Sequence, residues 1–543
     1  MVHVLRRPLE HGHSHGLPGA TQLSIRPIPL SEPDHNTMDA ATEEKHQQDC
    51  EMVDVEESKD VGRKMVYNKD SVLQKIANLY AERLMSDVTL VVGKNRYPAH
   101  RIILCASSDV FHVMLMNATW REFGDAVVTL QEEEKCHGVF PQFLRYMYVG
   151  QMTISVDTVV YILKLADKYN IRDLVQLCVD YMKEHLNKAA ANGCFVEWLD
   201  HSLLICPERR DLITLLENYL KWNLELVVAH NGWLDLSPGI MHWLLQQNDL
   251  AIRSEYRLYE LVERWFWYQK RKIESRTEMR ERERENALNS ITSNVLVYIR
   301  FPMMRLIEMA NVLVSPSLRE LKEFVVARVA DGMNFHSERT EVIAAARQTE
   351  YGEQQFTPRL YTCDLWSLGI AVNFFDNMEK YSSFPSMFFS PRNFIDSDSK
   401  DEECDGWDVE FFPLGVRYKP AQLIGVYSAT SSRDIPESII RTVRLRVTCQ
   451  ASLICERRYM IGVLIAGMMN DQEYVHTCHV RMAYFSNDQR VVNIDNLIPF
   501  EELQQVMHSP SRYLVGERQD TIKIQVVIVP LNPFSNLFTP QLE

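Results

Sequence analysis

The sequence predicts a multidomain α+β protein: an α/β module first, an all-helical module second and a C-terminal antiparallel β-sandwich last. Three observations lead to this fold class. A short hairpin pattern among amphipathic helices lies within 67–186, and helical periodicity dominates 187–335. Short alternating runs separated by Pro, Gly, Ser and Asp fill 356–535. We expect a linker over 336–355 between the last two modules.

Length and composition agree with this organisation and argue against some classes of function. The 543 residues suit about three domains. A net charge of -15 argues against nucleic-acid binding as the main function. No run of about 18 apolar residues occurs, so we expect no membrane span. The 11 cysteines include no C-x-x-C pair, which is typical of reduced thiols in a cytoplasmic protein.

Residues 1–66 are polar, interrupted by Pro and Gly, and rich in acids over 43–60. This composition predicts a disordered tail. HGHSHG (11–16) groups three histidines, but no second ligand cluster of defined spacing accompanies it, so we expect no metal and no cofactor. The tail also lacks the apolar stretch of a secretion signal, which favours a cytoplasmic location. The alternative is a secreted protein whose true start differs.

The first module begins with a helix over 70–84, DSVLQKIANLYAERL, whose apolar residues fall on one face. In SDVTLVVG, Val88, Leu90 and Val92 alternate inward, which predicts a strand, and RYPAH continues as its hairpin partner. RIILCASSDVFHVML (101–115) predicts one apolar helix, and further helices follow.

The last module shows the alternation of half-buried strands. DGWDVEFFPLG places Trp407, Val409 and Phe411 on one face, and TVRLRVTC and TIKIQVVIV alternate in the same way. The acid-rich segment 396–405 lacks the Gly and Glu positions of a calcium loop and predicts a solvated loop. The mixed-sign segment 270–285 predicts a solvated helix with salt bridges rather than a nucleic-acid patch.

SDVTLVVGKNRYPAHRIILCASSDVFHVML (86–115) closely resembles the start of a BTB/POZ domain. The matching positions are Asp87, Ala99, His100, Arg101, Leu104, Ser107 and Phe111. FPQFLRYMYVG and LKLADKYNIRDLVQLC resemble the end of that domain. The resemblance implies that Asp87 and His100 are residues of the fold and not of a catalytic site.

The two later modules also resemble known families. WLLQQNDLAIRSEYRLYELVERWFWY resembles a BACK domain, with Ser254, Glu255 and Trp265 at matching positions, and VLVYIRFPMM supports it. GWDVEFFPLG and the closing segment up to TIKIQVVIV resemble a TRAF-like (MATH-type) sandwich, in which Trp407 would be a core residue. The order BTB, BACK, TRAF-like differs from speckle-type POZ adaptors, where the MATH domain comes first.

The BTB resemblance implies a homodimer. On the first helix, Leu73, Ile76 and Tyr80 form one stripe, with Leu79 and Leu84 beside it. Such a stripe can bury against a second copy. The alternative is that it packs only on its own domain.

The resemblance also implies cullin-3 binding. Adaptors of this family often carry a hydrophobic–x–Glu element after the central helix, and Trp120-Arg121-Glu122 occupies that place. Trp120 would be the interface anchor and Glu122 a hydrogen-bond acceptor; alternatively, Trp120 is a residue of the fold. Asn117-Ala118-Thr119 is a glycosylation sequon, and a glycan there would block this surface in a secreted protein.

No nucleophile–base set, phosphate loop or metal set stands out, so we do not expect an enzyme. The sequence favours an adaptor that dimerises through its BTB domain and bridges cullin-3 to an unknown protein held by the TRAF-like domain. The alternative is a secreted or extracellular BTB–BACK interaction protein with no ubiquitin-ligase role.

Overall fold

The structure is a computed structural model. It describes residues 67–531 except for 118, 121, 206, 316–317, 350, 396–403, 419–437, 452, 454–455 and 505–510. The tail predicted at 1–66, with its histidines, lies outside these residues, as does most of the acid-rich segment 396–405. The described residues from Asn68 onward form one compact unit.

The first part of this unit is an α/β module. Its elements are α1 (Lys69–Glu82), β1 (Val88–Val92), β2 (Asn95–Ala99), α2 (Arg101–Ser107), α3 (Asp109–Met116), β3 (Val127–Leu130), α4 (Glu134–Val149), α5 (Val159–Lys168) and α6 (Arg172–Glu184). The sheet order is β2-β1-β3, with β1 antiparallel to β2 and parallel to β3. Val88, Leu90 and Val92 are buried, as their alternation predicts.

The single helix predicted over 101–115 is wrong, because the chain breaks at Ser108. The Ser108 hydroxyl accepts a hydrogen bond from the Phe111 backbone N–H (3.1 Å) and donates one to the Tyr169 carbonyl (2.5 Å). It caps α3 and ends α2, since serine competes for backbone groups in this way. The first helix is also shorter than 70–84: Arg83 is left-handed, so Leu84 lies beyond α1.

The middle part is helical. Its elements are α7 (Leu186–Ala191), α8 (Phe195–Ile205), α9 (Arg210–Trp222), α10 (Leu224–Val228), a 3-10 helix (Asn231–Asp235), α11 (Pro238–Gln246), β4 (Ala251–Ile252), α12 (Glu255–Glu274), α13 (Glu281–Asn294), two 3-10 helices (Leu296–Tyr298 and Phe301–Met303), α14 (Leu306–Val314), α15 (Leu318–His336), α16 (Thr340–Arg347) and α17 (Gly352–Gln355). The last two helices occupy the segment expected to be a linker. Trp265 is buried, and its indole N–H donates to the Leu236 carbonyl (2.9 Å).

The last part is an antiparallel β-sandwich. Its elements are β5 (Leu360–Tyr361), β6 (Ser367–Val372), a 3-10 helix (Phe375–Asn377), β7 (Phe384–Pro391), β8 (Cys404–Phe412), β9 (Val416–Tyr418), β10 (Ser438–Ile440), β11 (Arg444–Cys449), β12 (Arg457–Met469), β13 (Gln472–Phe485), β14 (Val491–Ile494), α18 (Phe500–Gln504) and β15 (Ile522–Leu531). Two four-stranded sheets, β14-β11-β8-β7 and β13-β12-β15-β6, enclose the core. Trp407, Val409 and Phe411 all point into it. The multidomain α+β class is therefore confirmed.

The helical part and the sandwich are joined at two places. Strand β5 pairs with β4 in parallel, aligning Leu360 with Ala251. At the second place, Asn223 bonds the backbone of β13, donating to the Val475 carbonyl (2.9 Å) and accepting from its N–H (2.7 Å). Asn187 donates to the Met469 and Gln472 carbonyls at the β12–β13 turn (3.1 Å each). Each asparagine thus bonds backbone groups of the sandwich in partly buried positions, which fixes the sandwich against the helices.

Candidate interaction surfaces

The two polar residues that open the BTB-like stretch serve the fold. The carboxylate of Asp87 accepts a hydrogen bond from the Arg101 backbone N–H (2.8 Å), at the start of α2. His100 is buried, with Nε2 2.6 Å from the Leu84 carbonyl and Nδ1 2.9 Å from the Tyr148 hydroxyl. A carbonyl can only accept, so Nε2 carries the proton and Nδ1 accepts from Tyr148. Both ring nitrogens of His100 are thus engaged within the fold, and one oxygen of Asp87 holds the start of α2.

Helix α1 is only partly buried against the rest of the chain. None of its residues is fully buried, although Ile76 and Tyr80 pack against the core and the Tyr80 hydroxyl donates to the Pro141 carbonyl (3.1 Å). Leu73 is 47% exposed, and Val72 and Leu84 are comparably exposed. Leu79 is half-buried. The stripe expected to form the dimer interface therefore divides into an inner edge on α4 and an open outer edge.

A second apolar surface lies on α3 and the turns after it. Val110, Val113 and Met116, spaced three residues apart on one helix face, are exposed, as are Trp120 and Phe123. We call these five residues the α3 surface. Trp120 is 40% exposed, so it does not belong to the core, and Glu122 is half-buried beside it in sequence.

Arg101 holds the loop that carries Trp120 and Glu122. Its guanidinium donates to the Leu115 carbonyl at the end of α3 (3.0 Å) and to the Asp125 carbonyl before β3 (2.5 Å). Between these points, the Asn117 carbonyl accepts from the Trp120 N–H (3.0 Å), and the Trp120 carbonyl accepts from the Phe123 N–H (3.2 Å). Arg101 thus holds both ends of the loop, and Trp120 takes part in one backbone hydrogen bond on each side.

A third surface is a groove of about 750 Å³ on the outer face of the β14-β11-β8-β7 sheet. Met387 and Val491 provide its apolar walls, on the two edge strands. Its middle is polar: Arg446 donates to Glu410 (3.0 Å), and Asp408 lies one pair further along β8. Sequence patterns locate the strands but not this groove, because its walls come from strands more than 100 residues apart.

Within the described residues, no group of three or more His, Cys, Asp or Glu side chains is arranged to hold a metal ion. No helix among them is both long and apolar enough to cross a membrane.

Comparison with known families assigns the three parts. Models of the BTB/POZ domain, of BACK (BTB And C-terminal Kelch) and of the BTBD17 TRAF domain match residues 76–186, 206–314 and 356–532. BTB/POZ domain-containing protein 17 of Xenopus laevis is 24% identical over 487 residues, which are 87% of this chain and 93% of that protein. The chain resembles this protein along most of its length.

Other relatives share all or part of this arrangement. The human BTB/POZ domain-containing protein 17 is 26% identical over 68% of this chain and 71% of its own length. Kelch-like protein 7 of Rattus norvegicus is 24% identical over 48% of this chain and 40% of its own length. The BTB and BACK domains and these Kelch-like relatives indicate a protein-interaction adaptor.

Proposed function

We propose that this chain is a non-enzymatic adaptor that binds cullin-3 through the α3 surface and holds another protein on its TRAF-like sandwich. The observation that carries this proposal is the exposure of Trp120 on a loop fixed by Arg101. An exposed tryptophan in a pre-ordered loop is a favourable anchor, because little conformational entropy is lost on binding. Glu122 would accept hydrogen bonds from the cullin at the edge of that contact.

The adaptor is proposed to act as a homodimer. The outer edge of α1 carries Val72 and Leu73 in exposed positions, and Leu84 is exposed just after the helix. A 14-residue helix with no fully buried residue gains little stability from its own chain, since most helical stability comes from tertiary packing. A second copy covering this edge would supply that packing.

The sandwich groove is the proposed holding site for the other protein. It combines apolar walls at Met387 and Val491 with a polar middle at Asp408, Glu410 and Arg446. A few placed polar groups inside an apolar rim are typical of binding sites, because the rim supplies burial and the polar groups supply specificity.

A cytoplasmic location is also proposed. Seven of the cysteines that the structure describes are free thiols, which fits a reducing compartment: Cys105, Cys136, Cys194, Cys363, Cys404, Cys449 and Cys478. Burial raises the pKa of Cys136 to about 11 and that of Cys194 to about 12, so these thiols stay protonated and unreactive.

One observation favours a second candidate, a secreted interaction protein. Asn117 is exposed, and its side-chain oxygen accepts from the Thr119 hydroxyl (2.8 Å), so the sequon is presented at the surface. A glycan at Asn117 would cover the α3 surface. Mass spectrometry of the native protein decides between the two: an unmodified Asn117 with free thiols supports the cytoplasmic adaptor, and a glycan with disulfides supports the secreted protein.

The cullin proposal is tested by titration calorimetry of the full chain with the N-terminal domain of cullin-3. The full chain is needed because a fragment ending at residue 335 would lose Arg359, the buried partner of Glu255. Glu122→Lys should weaken binding by about 2 kcal/mol or more, since it places a like charge where an acceptor is needed. Asp125→Lys, on the same loop but outside the Trp120–Glu122 element, is the matched control and should change binding by less than about 0.5 kcal/mol. Absence of binding by the unaltered chain would refute the adaptor proposal.

A further inference from the structure

A groove of about 670 Å³ opens on the helical part, away from the surfaces considered so far. One wall is a face of α12 that carries Arg264, Trp267, Tyr268 and Arg271, and the other wall is the 3-10 helix Asn231–Asp235. We call it the basic groove.

The groove has an excess of positive charge. Its only lining acid, Asp235, already accepts from the Tyr268 hydroxyl (3.0 Å) and from Lys272 (2.8 Å). Arg264 donates to the neutral side chain of Asn231 (2.5 Å) and forms no ion pair within the described part of the chain. Arg271 is exposed and has no side-chain partner among the same residues. Arg264 also lies over the Trp233 ring, 6.0 Å from its centroid, which helps to hold the guanidinium in place. Neither arginine thus has an acidic partner among the described residues, in a chain whose net charge is -15.

The spacing of the two arginines limits what they can bind together. Arg264 and Arg271 are seven residues apart on α12, so their Cα atoms are about 10 Å apart on nearly the same face. Trp267 and Tyr268 lie between them. The groove is thus lined by two aromatic side chains, Trp267 and Tyr268, between two arginines.

We infer that the basic groove binds an extended acidic segment of a partner protein, with two carboxylates three residues apart. In a polyproline II chain, residues three apart share a face and are about 9 Å apart, which matches the arginine spacing. Each guanidinium can hold one carboxylate through paired hydrogen bonds. Aromatic grooves suit this conformation, because the chain is already extended before it binds.

The same observations disfavour nucleic acids and membranes. Nucleic-acid binding needs a basic stripe along a phosphate backbone, and membrane adsorption needs a cluster of about four to eight cations. The basic groove offers two unpaired cations in a concave site. It is also separate from the α3 surface and the sandwich groove, so its partner is additional to those of the proposed adaptor.

Fluorescence anisotropy of the full chain with a labelled peptide tests the inference. The probe is a ten-residue peptide with a Glu-Pro-Leu-Glu core, and its control replaces both Glu by Gln. Arg264→Glu combined with Arg271→Glu should weaken binding of the probe at least about tenfold, because two attractions become repulsions. Arg276→Glu combined with Arg282→Glu makes the same charge change at two exposed arginines outside the groove and should change binding less than about twofold, since exposed charges are screened.

Each outcome of this experiment either supports or overturns the inference. Selective loss in the groove variant, together with weak binding of the Gln peptide, supports the inference. Equal loss in both variant pairs, equal binding of the two peptides, or no binding of the probe overturns it. The inference is also overturned if the probe peptide does not bind but a labelled DNA duplex or phosphatidylserine vesicles do, and the groove variant abolishes that binding. If the charge reversals disturb folding, as judged by thermal unfolding, the Arg264→Gln and Arg271→Gln pair gives the same test without repulsion.

Discussion

The carboxylate of Glu255 accepts a hydrogen bond from Nε of Arg359 at 3.1 Å, and both side chains are completely buried. The other oxygen of Glu255 accepts from the Arg300 backbone N–H (2.8 Å), and the Tyr361 hydroxyl also donates to the carboxylate (2.8 Å). Burial lowers the pKa of Arg300, with Arg359 lowering it further, while Glu255 opposes both effects. One acid of the helical part thus forms an ion pair with Arg359 and offsets part of the positive charge that Arg300 and Arg359 bring into the interior.

Replacing Glu255 with alanine should reduce the free energy of unfolding by about 3–5 kcal/mol, because two buried guanidinium groups would lose their counter-charge. The measurement is urea unfolding followed by circular dichroism. Glu225→Ala is the matched control. Glu225 pairs with Arg257 at the surface (3.1 Å), and its loss should cost about 1 kcal/mol or less. A loss of comparable size in both variants would contradict this account.

Replacing Leu73 with aspartate should convert the proposed dimer into a monomer, since a charge would be buried in an apolar contact. Light scattering at micromolar concentration measures the mass. Because Leu73 is exposed in the single chain, thermal unfolding of the monomer should change little. Leu204→Asp, at an exposed leucine near the end of α8, should leave the dimer intact. An unaltered chain that is already monomeric would disprove the proposed interface.

Replacing Trp407 with alanine should destabilise the sandwich by about 3–5 kcal/mol, through loss of burial and the cavity left behind. Trp407 packs edge-on against Tyr459 and Phe485, and its indole N–H donates to the Ser390 hydroxyl (2.9 Å). Met387→Ala, on the exposed face of the same sheet, should cost less than about 0.5 kcal/mol. Chemical unfolding of the two variants gives the comparison, and the dimer should persist in both.

Acid should weaken the sandwich through His476. Burial lowers its pKa from 6.5, and the nearby Arg512 lowers it further; Tyr474 and Tyr513 are its ring neighbours. The unfolded chain therefore takes up the proton first. The stability contributed by neutral His476 is complete above pH 6.5 and is lost as the pH falls through the lowered value.

The check is urea unfolding at pH about 7.5 and about 5. His476→Gln can still accept from the Tyr474 hydroxyl but does not titrate, so it should lose less stability on acidification than the unaltered chain. His112→Gln, at an exposed position, should behave like the unaltered chain. Identical losses in His476→Gln and the unaltered chain would exclude this role.

The parts of the fold that sequence predicts are those governed by local periodicity. Alternation places Val88, Leu90, Val92 and the Trp407 strand correctly, because burial on a strand has a period of two residues. The apolar pattern does not predict the break at Ser108, because it continues through that residue. The break is stabilised by the local cap on Phe111 and by the contact with Tyr169, 61 residues away. Short-range patterns contain no information about such partners.

The sequence predicts the candidate surfaces only in part, because they too depend on contacts between residues far apart in the chain. The family resemblance names Trp120 and Glu122 as candidates, but it does not predict that Arg101 holds both ends of their loop. The mixed charges of 270–285 do not predict the basic groove, because its second wall and the Asp235–Lys272 pair involve residues about 37 positions earlier in the chain. The same holds for Glu255, one of the residues that carry the BACK resemblance. Its structural role depends on Arg359, 104 residues later in the chain.

The Glu255–Arg359 pair also sets an order of events during synthesis. The chain emerges from the ribosome N-terminus first, and domains generally fold as they appear. Glu255 emerges 104 residues before Arg359, and Arg300 emerges between them. Until Arg359 arrives to complete the cluster and Leu360 pairs with Ala251, the nascent helical region cannot close its interior. Strand β5, which precedes the two sandwich sheets in the chain, thus completes the helical domain before it.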